Sequence, residues 1–238
     1  MVIKEAIILA GGLGTRLRSA VPDLPKCMAP INDKPFLTYV INHLKTEGIT
    51  HFIFALGYKS EVIEAFLEKD FPTLLFKTSI EKEPLGTGGA VKKAMALAKE
   101  NSVIIANGDT LYNIDAELLA SIHSLSGACC TLSLKPMKNF DRYGVVEIDE
   151  CSLIKSFKEK QFYESGLING GIYAIHRHKF LEENLPEKFS FEKDYLEVFY
   201  KKRRMFGVVQ DEYFIDIGVP EDYERAQREL KYSPQTWS

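Results

Sequence analysis

The chain has 238 residues, of which 45% are hydrophobic and 26% charged, and its formal charge is −3 at pH 7. This composition is typical of a globular protein with a buried core, and the charge does not favour binding to nucleic acid or to an anionic membrane. No apolar run approaches the roughly 18 residues that a membrane-spanning helix needs. The four cysteines form no CxxC pair, which argues against a zinc site, and we expect reduced thiols in a cytoplasmic protein.

Short apolar runs alternate with helical patterns through residues 1–127. Amphipathic stripes predict the helices. Gly48 is expected to end the first helix, and Ser60 is expected to cap the N-terminus of the second. Because strands and helices alternate, we expect a parallel sheet with helices on both faces. The predicted strands are 6–10, 51–56, 74–80 and 102–109, and the predicted helices are 35–48, 60–71, 88–100 and 115–125.

The alternation changes after Gly127, where strand-like runs follow one another with little room for helices. They predict an antiparallel or mixed extension of the sheet. Pro220 suits the first turn of a closing helix. No repeat or linker divides the chain, so we expect a single domain over residues 1–238. Predicted strands in this part are 128–135, 143–149, 152–159, 168–176, 204–210 and 212–218, and predicted helices are 191–204 and 220–230.

A glycine-rich loop with two arginines, AGGLGTRLR, follows the first strand. A Walker P-loop would need a lysine and a hydroxyl residue after its last glycine, but Gly14 is followed by Thr15 and Arg16. A dinucleotide-binding loop would need a third glycine where the sequence has Leu17. A third possibility is a loop whose bare N–H groups surround a nucleoside triphosphate, with Arg16 on the phosphates.

Other segments support the third possibility. Lys26 follows the loop between prolines, and EKEPLGTGGAV is a second glycine-rich turn that leads into a helix, whose N-terminus attracts negative groups. Asp109 comes directly after a buried strand, and Asp216 ends another strand far along the chain. Ligands gather at the carboxyl ends of strands in open α/β sheets, so the two aspartates could share one hard cation.

These motifs together resemble the sugar-1-phosphate nucleotidyltransferases. The segments GGLGTRLR, PK, EPLGTGGA, NGD, YG, FKEK, NGGIY and FIDIGVPEDY occur in the order of that family and cover nearly the whole chain. The resemblance implies an α/β fold, a Rossmann-like three-layer α/β/α sandwich with a mixed central sheet (GT-A-like). Its 1–127 half would bind the nucleotide and its 128–238 half the sugar phosphate. The implied reaction joins an NTP and a sugar 1-phosphate into an NDP-sugar, releases pyrophosphate and depends on Mg²⁺.

The resemblance also implies roles for individual residues. Arg16 would hold the leaving phosphates, Lys26 would contact the α-phosphate, and Asp109 with Asp216 would hold Mg²⁺; Arg16, Lys26 and Asp109 are the implied catalytic residues. The implied nucleotide-binding residues are Leu9, Ala10, Gly11, Gly12, Gly14, Thr15, Glu81, Gly86, Thr87 and Gly88. The implied sugar-phosphate-binding residues are Gly144, Glu159, Lys160, Asn169 and Gly170.

Glu81 bears on the choice of base. By similarity, thymidylyl- and uridylyltransferases carry a glutamine here, whose amide can both donate and accept hydrogen bonds. A carboxylate only accepts, which suits the adjacent N1–H and N2–H₂ of guanine. We therefore predict GTP as the nucleotide, with Glu83 as a second candidate for reading the base.

Within the family, the chain most resembles the bacterial D-glycero-α-D-manno-heptose 1-phosphate guanylyltransferases, which serve heptose incorporation into surface polysaccharide. Guanylyl transfer to mannose 1-phosphate is the alternative, followed by uridylyl or thymidylyl transfer to another sugar phosphate. A non-catalytic sugar-nucleotide sensor is the alternative from another class, although Arg16, Lys26, Asp109 and Asp216 are all present. The expected partners are GTP and a sugar 1-phosphate, with no nucleic acid or membrane, and a homodimer is one possible assembly.

Overall fold

A seven-stranded sheet forms the centre of the computed structural model, which describes residues 2–12, 17, 23–202 and 204–230. From one edge to the other, the strands are Met205–Val209 (β12), Cys130–Phe140 (β8), Tyr163–His176 (β11), Ser102–Asn107 (β6), Glu5–Leu9 (β1), His51–Leu56 (β4) and Leu75–Ile80 (β5). Six of these strands run in the same direction, and β11 alone is reversed, because it pairs antiparallel with both β6 and β8.

Helices cover both faces of this sheet. The α-helices are Phe36–Thr46 (α1), Ser60–Asp70 (α2), Gly86–Met95 (α3), Ala116–Ser126 (α4), Arg177–Leu181 (α5), Glu197–Phe199 (α6) and Pro220–Glu229 (α7). Successive residues of β1 point to opposite sides, so that Ile8 joins the core under α1, α2, α4 and α7, whereas Ile7 joins the core under α3 and α5. This is the predicted three-layer sandwich with a mixed sheet, and the prediction is confirmed.

Three two-stranded ribbons lie outside the central sheet. The run EYFIDIG, predicted as a strand, pairs only with a short strand that follows Asp109. The runs YGVVEID and SLIKSFKE pair with each other rather than extending the sheet. The ribbon strands are Pro30–Ile31 (β2), Lys34–Pro35 (β3), Thr110–Tyr112 (β7), Val146–Ile148 (β9), Ile154–Phe157 (β10) and Phe214–Asp216 (β13).

One local prediction is wrong, and another is confirmed only in part. Ser60 does not cap α2: it is the first helical residue, and Lys59 precedes it in a left-handed conformation (φ 51°) without a side-chain cap. The helix predicted over 191–204 begins at Phe191, but its first part is a π-helix, Phe191–Leu196, and it ends with the short α6 at Phe199. Among the described residues, no helix is long and apolar enough to cross a lipid bilayer.

Candidate active site

The first cavity lies at the carboxyl ends of β1, β4 and β6, and its volume is about 580 Å³. The N-terminus of α3 forms one wall, so the cavity combines a strand edge and a helix start, both of which favour anionic ligands. Among the implied nucleotide-binding residues, six line it: Leu9, Gly11, Gly12, Glu81, Gly86 and Thr87. Asp109 lines it as well.

Two of the described nucleotide-binding candidates, Ala10 and Gly88, do not line this cavity. Ala10 is buried in the core. Gly88 lies behind the wall, where its N–H donates to the carbonyl of Phe189 at 3.0 Å, so it is not available to a phosphate. Gly14, Thr15 and the implied catalytic Arg16 lie outside the described residues, and their roles stay predictions.

Close backbone approaches explain two glycines of this cavity. A Cβ on Gly11 would lie 3.0 Å from the nitrogen of Gly57, where the first glycine-rich segment crosses the end of β4. Gly86 has a φ of +72°, and a Cβ there would lie 2.5 Å from the carbonyl oxygen of Phe189. A side chain at Gly86 would therefore clash with the backbone, and one at Gly11 would need the neighbouring backbone to shift by a few tenths of an ångström.

The second cavity, of about 640 Å³, lies beside the first and is lined by the β9–β10 ribbon, β11 and the π-helix. All five implied sugar-phosphate residues line it: Gly144, Glu159, Lys160, Asn169 and Gly170. We call it the acceptor cavity, and the first the nucleotide cavity. The two share Asn107 and Glu192 in their walls.

An irregularity in β11 shapes the acceptor cavity. The pairing with β8 shifts between Asn169 and Tyr173, which bends the strand at the two glycines of NGG. The amide of Asn169 donates to the Tyr173 hydroxyl at 2.9 Å, and its oxygen accepts from the N–H of Gly171 at 3.1 Å. A Cβ on Gly170 would lie 2.4 Å from the ring of Tyr112, so this part of the wall is backbone.

Lys26 connects the two implied metal-binding aspartates. Its Nζ lies 2.5 Å from Oδ2 of Asp109 and 3.2 Å from Oδ1 of Asp216. Burial alone would lower the pKa of Lys26, but the charges of Asp109 and Asp216, with their hydrogen bonds, raise it above its ordinary value. One ammonium group therefore bridges the two carboxylates and offsets part of their negative charge, with Asp109 lining the nucleotide cavity and Asp216 the acceptor cavity.

The β7–β13 ribbon brings the aspartates together. Asp109 directly precedes β7, and Asp216 ends β13 opposite Thr110. The N–H of Ile217 donates to the carbonyl of Asp109 at 3.1 Å, and the N–H of Gly218 donates to Oδ1 of Asp216 at 2.8 Å. The ribbon thus fixes the spacing of the two carboxylates through its backbone.

A second group of side chains surrounds Asp216. The Tyr143 hydroxyl donates to Oδ2 of Asp216 at 3.4 Å, and Arg142 lies between Tyr143, Asp216 and Asp222 of α7. Burial and the charge of Asp216 raise the pKa of Tyr143, which therefore stays protonated and keeps its hydrogen available for donation.

The donor set fits Mg²⁺. Within the described residues, no group of three or more His, Cys, Asp or Glu side chains could hold a metal ion by itself. Mg²⁺ usually takes one or two carboxylates and completes its octahedron with phosphate oxygens and water. Asp109 and Asp216 supply two carboxylates beside a cavity of suitable size for a nucleotide.

The sequence motifs do not assign a role to three residues that line the cavities: Asn107, Glu192 and Lys193. Asn107 ends β6 two residues before Asp109, and its position at the end of a strand is the signal that could indicate it. Glu192 and Lys193 reach the acceptor cavity only because the π-helix packs against α3 and β11. No local sequence signal indicates that packing.

The family model for nucleotidyl transferases matches residues 5–233. The chain belongs to the nucleotidyl transferase family. It is 49% identical over 228 residues to the D-glycero-alpha-D-manno-heptose 1-phosphate guanylyltransferase of Aneurinibacillus thermoaerophilus, covering 96% of this chain and 99% of that relative. It is 51% identical over 219 residues to the protein of the same name from Campylobacter jejuni, and the match covers 92% of this chain and 96% of that relative.

A crystal structure of HddC from Yersinia pseudotuberculosis complexed with GMP-PN has the same fold as this nucleotidyl transferase. It superposes with a TM-score of 0.86 at 37% identity and covers 96% of this chain and 100% of that chain. The resemblance drawn from the ordered motifs is thereby confirmed.

Proposed function

We propose that the protein transfers a guanylyl group from GTP to D-glycero-α-D-manno-heptose 1-phosphate, forming the GDP-heptose and releasing pyrophosphate. The observation that carries the proposal is the identity of about half of all residues with two heptose 1-phosphate guanylyltransferases over nearly the full length of both chains. Two adjoining cavities that meet at a lysine and two aspartates support the same reaction.

The reaction brings two anions together, and the site must offset their repulsion. The acceptor phosphate is already ionised at neutral pH, so it needs no general base and no covalent enzyme intermediate. Lys26, at the junction of the cavities, and Lys160, in the acceptor cavity, would place positive charge near the phosphates of both substrates. Arg16, from its position in the glycine-rich loop, would hold the leaving pyrophosphate.

The two aspartates would hold Mg²⁺, and Lys26 would then turn from them to the α-phosphate. When bound, the ion would neutralise phosphate charge and orient the attacking and leaving oxygens. The β7–β13 ribbon sets the spacing of Asp109 and Asp216, so both carboxylates are positioned to hold the ion. The remaining contribution of the protein is the alignment of the two substrates.

The geometry around Glu81 supports a preference for guanine. Glu81 lines the nucleotide cavity, and its Oε2 accepts from the N–H of Leu85 at 2.9 Å. That contact fixes the carboxylate at the start of the 81–85 loop. A fixed carboxylate matches the two adjacent donors of guanine and repels the carbonyl oxygens of uracil and thymine. Glu83 lines the same cavity and remains the second candidate.

We place the reaction in the cytoplasm and its product in surface polysaccharide synthesis, as the resemblance implies. All four cysteines are free thiols, which agrees with a reducing compartment. A homodimer stays a prediction, which light scattering on the purified protein would test.

The test is pyrophosphate release across a matrix of four NTPs and several sugar 1-phosphates, with Mg²⁺ present. We expect the highest kcat/KM for GTP with the heptose 1-phosphate. Preference for UTP or dTTP would contradict the assignment of the nucleotide, and preference for mannose 1-phosphate would contradict that of the sugar. No release with any pair would favour a sensor.

A further inference from the structure

Glu192 lies where the two cavities meet, and nothing in the reaction described above uses it. It belongs to the π-helix and lines both the nucleotide cavity and the acceptor cavity. Its neighbours Ser190, Lys193, Leu196 and Glu197 line only the acceptor cavity. The segment is therefore mainly a wall of the acceptor cavity. π-Helical turns occur often at functional sites.

Specific contacts hold Glu192 in this position. Its Oε2 accepts from the Thr87 hydroxyl at 2.8 Å and from the Ser190 hydroxyl at 3.2 Å. The Thr87 oxygen in turn accepts from the N–H of Phe191 at 2.9 Å, and the Phe191 ring packs on Tyr173 at 4.9 Å between centroids. The carboxylate is thus bonded to α3, and the adjacent residue Phe191 packs on β11.

The charge of Glu192 limits what it can bind. A carboxylate beside substrates that carry phosphates repels those phosphates and attracts hydroxyl donors. Both described hydrogen bonds use Oε2, and a carboxylate has about four lone-pair positions, so Glu192 can accept further hydrogen bonds. A sugar ring with several hydroxyl groups is the matching ligand in the acceptor cavity.

We propose that Glu192 accepts a hydrogen bond from a hydroxyl group of the acceptor sugar and that Thr87 positions it for this contact. The inference rests on the proposed function, since it takes the acceptor to be a sugar 1-phosphate. It changes the role of Thr87, which the resemblance assigns to nucleotide binding. Its hydroxyl hydrogen is directed to Glu192, so its main effect falls on the acceptor.

The test compares Glu192→Ala, Glu192→Gln and the control Glu187→Gln, which alters an exposed glutamate of the preceding loop outside both cavities. We expect Glu192→Ala to raise the KM for the sugar 1-phosphate about tenfold or more, as loss of a hydrogen bond to a charged group does. The Kd for GTP, measured by calorimetry, should stay within threefold. Glu192→Gln should give a smaller rise in KM, and Glu187→Gln should match the wild type.

Thr87 supplies the second part of the test. Thr87→Ala should raise the same KM, and Thr87→Ser, which keeps the hydroxyl, should restore it. A general loss of structure would instead lower the melting temperature and affect both substrates. Weaker GTP binding with an unchanged acceptor KM in Glu192→Ala would overturn the proposal, as would no change in either constant.

The wild-type matrix separates this inference from the proposed function. If the wild type rejects the heptose phosphate but uses another sugar 1-phosphate, the proposed function fails. The effect of Glu192→Ala is then measured on the sugar that is used, and an unchanged KM there overturns the inference separately. If the heptose phosphate is used and Glu192→Ala leaves its KM unchanged, only the inference fails.

Discussion

Gly144→Ala should damage acceptor binding through a single backbone clash. A Cβ on Gly144 would lie 2.3 Å from the carbonyl oxygen of Lys158, whereas real Cβ contacts are essentially never closer than 3.0 Å. The two backbone segments would therefore have to separate by at least about 0.7 Å. The N–H of Lys158 also donates to the carbonyl of Val145 at 2.7 Å, so separation strains that bond as well.

The displaced segment carries Glu159 and Lys160 into the acceptor cavity. A misplacement of about 1 Å can reduce a rate by about 100-fold, because the reacting groups lose their alignment. We therefore expect kcat/KM for the sugar 1-phosphate to fall by roughly 30- to 100-fold. Overpacking of this kind costs about 1–3 kcal/mol of unfolding free energy, so the protein should still fold.

Steady-state pyrophosphate release at varied acceptor and saturating GTP measures the effect. Calorimetry should give a nearly unchanged Kd for GTP, since the nucleotide cavity is not displaced. Glu187→Gln is the control, because it alters an exposed side chain outside both cavities. An acceptor kcat/KM within threefold of the wild type in Gly144→Ala would refute the reasoning.

Two further predictions concern the base and the pH dependence of stability. In Glu81→Gln the side-chain oxygen can still accept from the N–H of Leu85, and the amide NH₂ would then face the base. The ratio of kcat/KM for GTP to kcat/KM for UTP should therefore fall about tenfold. An unchanged ratio would exclude Glu81 as the residue that reads the base. Burial lowers the pKa of His43 from 6.5 to about 4, so the unfolded state takes up a proton first as the pH falls. His43 should therefore reduce the free energy of unfolding by roughly 3 kcal/mol between about pH 6.5 and pH 4. Urea unfolding at pH 7 and pH 4.5 should show a smaller loss in His43→Gln, and an equal loss would contradict this assignment.

The sequence was sufficient to predict the layers of the fold, because short apolar runs typical of strands alternate with the apolar stripes of amphipathic helices. It also indicated that Asp109 and Asp216 could meet, since both follow strands, and the structure brings both to Lys26. The pairing that joins them is a separate ribbon rather than the central sheet. Short strands can pair in either place, and local sequence does not distinguish the two.

Features that depend on tertiary packing could not be predicted. The π-helix places Glu192 between the cavities because Phe191 packs on Tyr173 and Thr87 bonds to the segment. The incorrect prediction of a cap at Ser60 also depends on structure that the local sequence does not show. The turn before α2 places Lys59 in a left-handed conformation, and so the helix begins without a side-chain cap. A serine before an apolar stripe shows only that a cap is chemically available.

The central claim is that Asp109 and Asp216 together hold the cation that lets two phosphates react. The direct measurement is the rate of pyrophosphate release from GTP and the heptose 1-phosphate at a fixed, ordinary Mg²⁺ concentration for wild type, Asp109→Asn and Asp216→Asn. We predict a wild-type rate that requires Mg²⁺ and a loss of about 100-fold or more in each folded variant. Near-normal rates in both variants would contradict the claim and remove the two aspartates from the metal site.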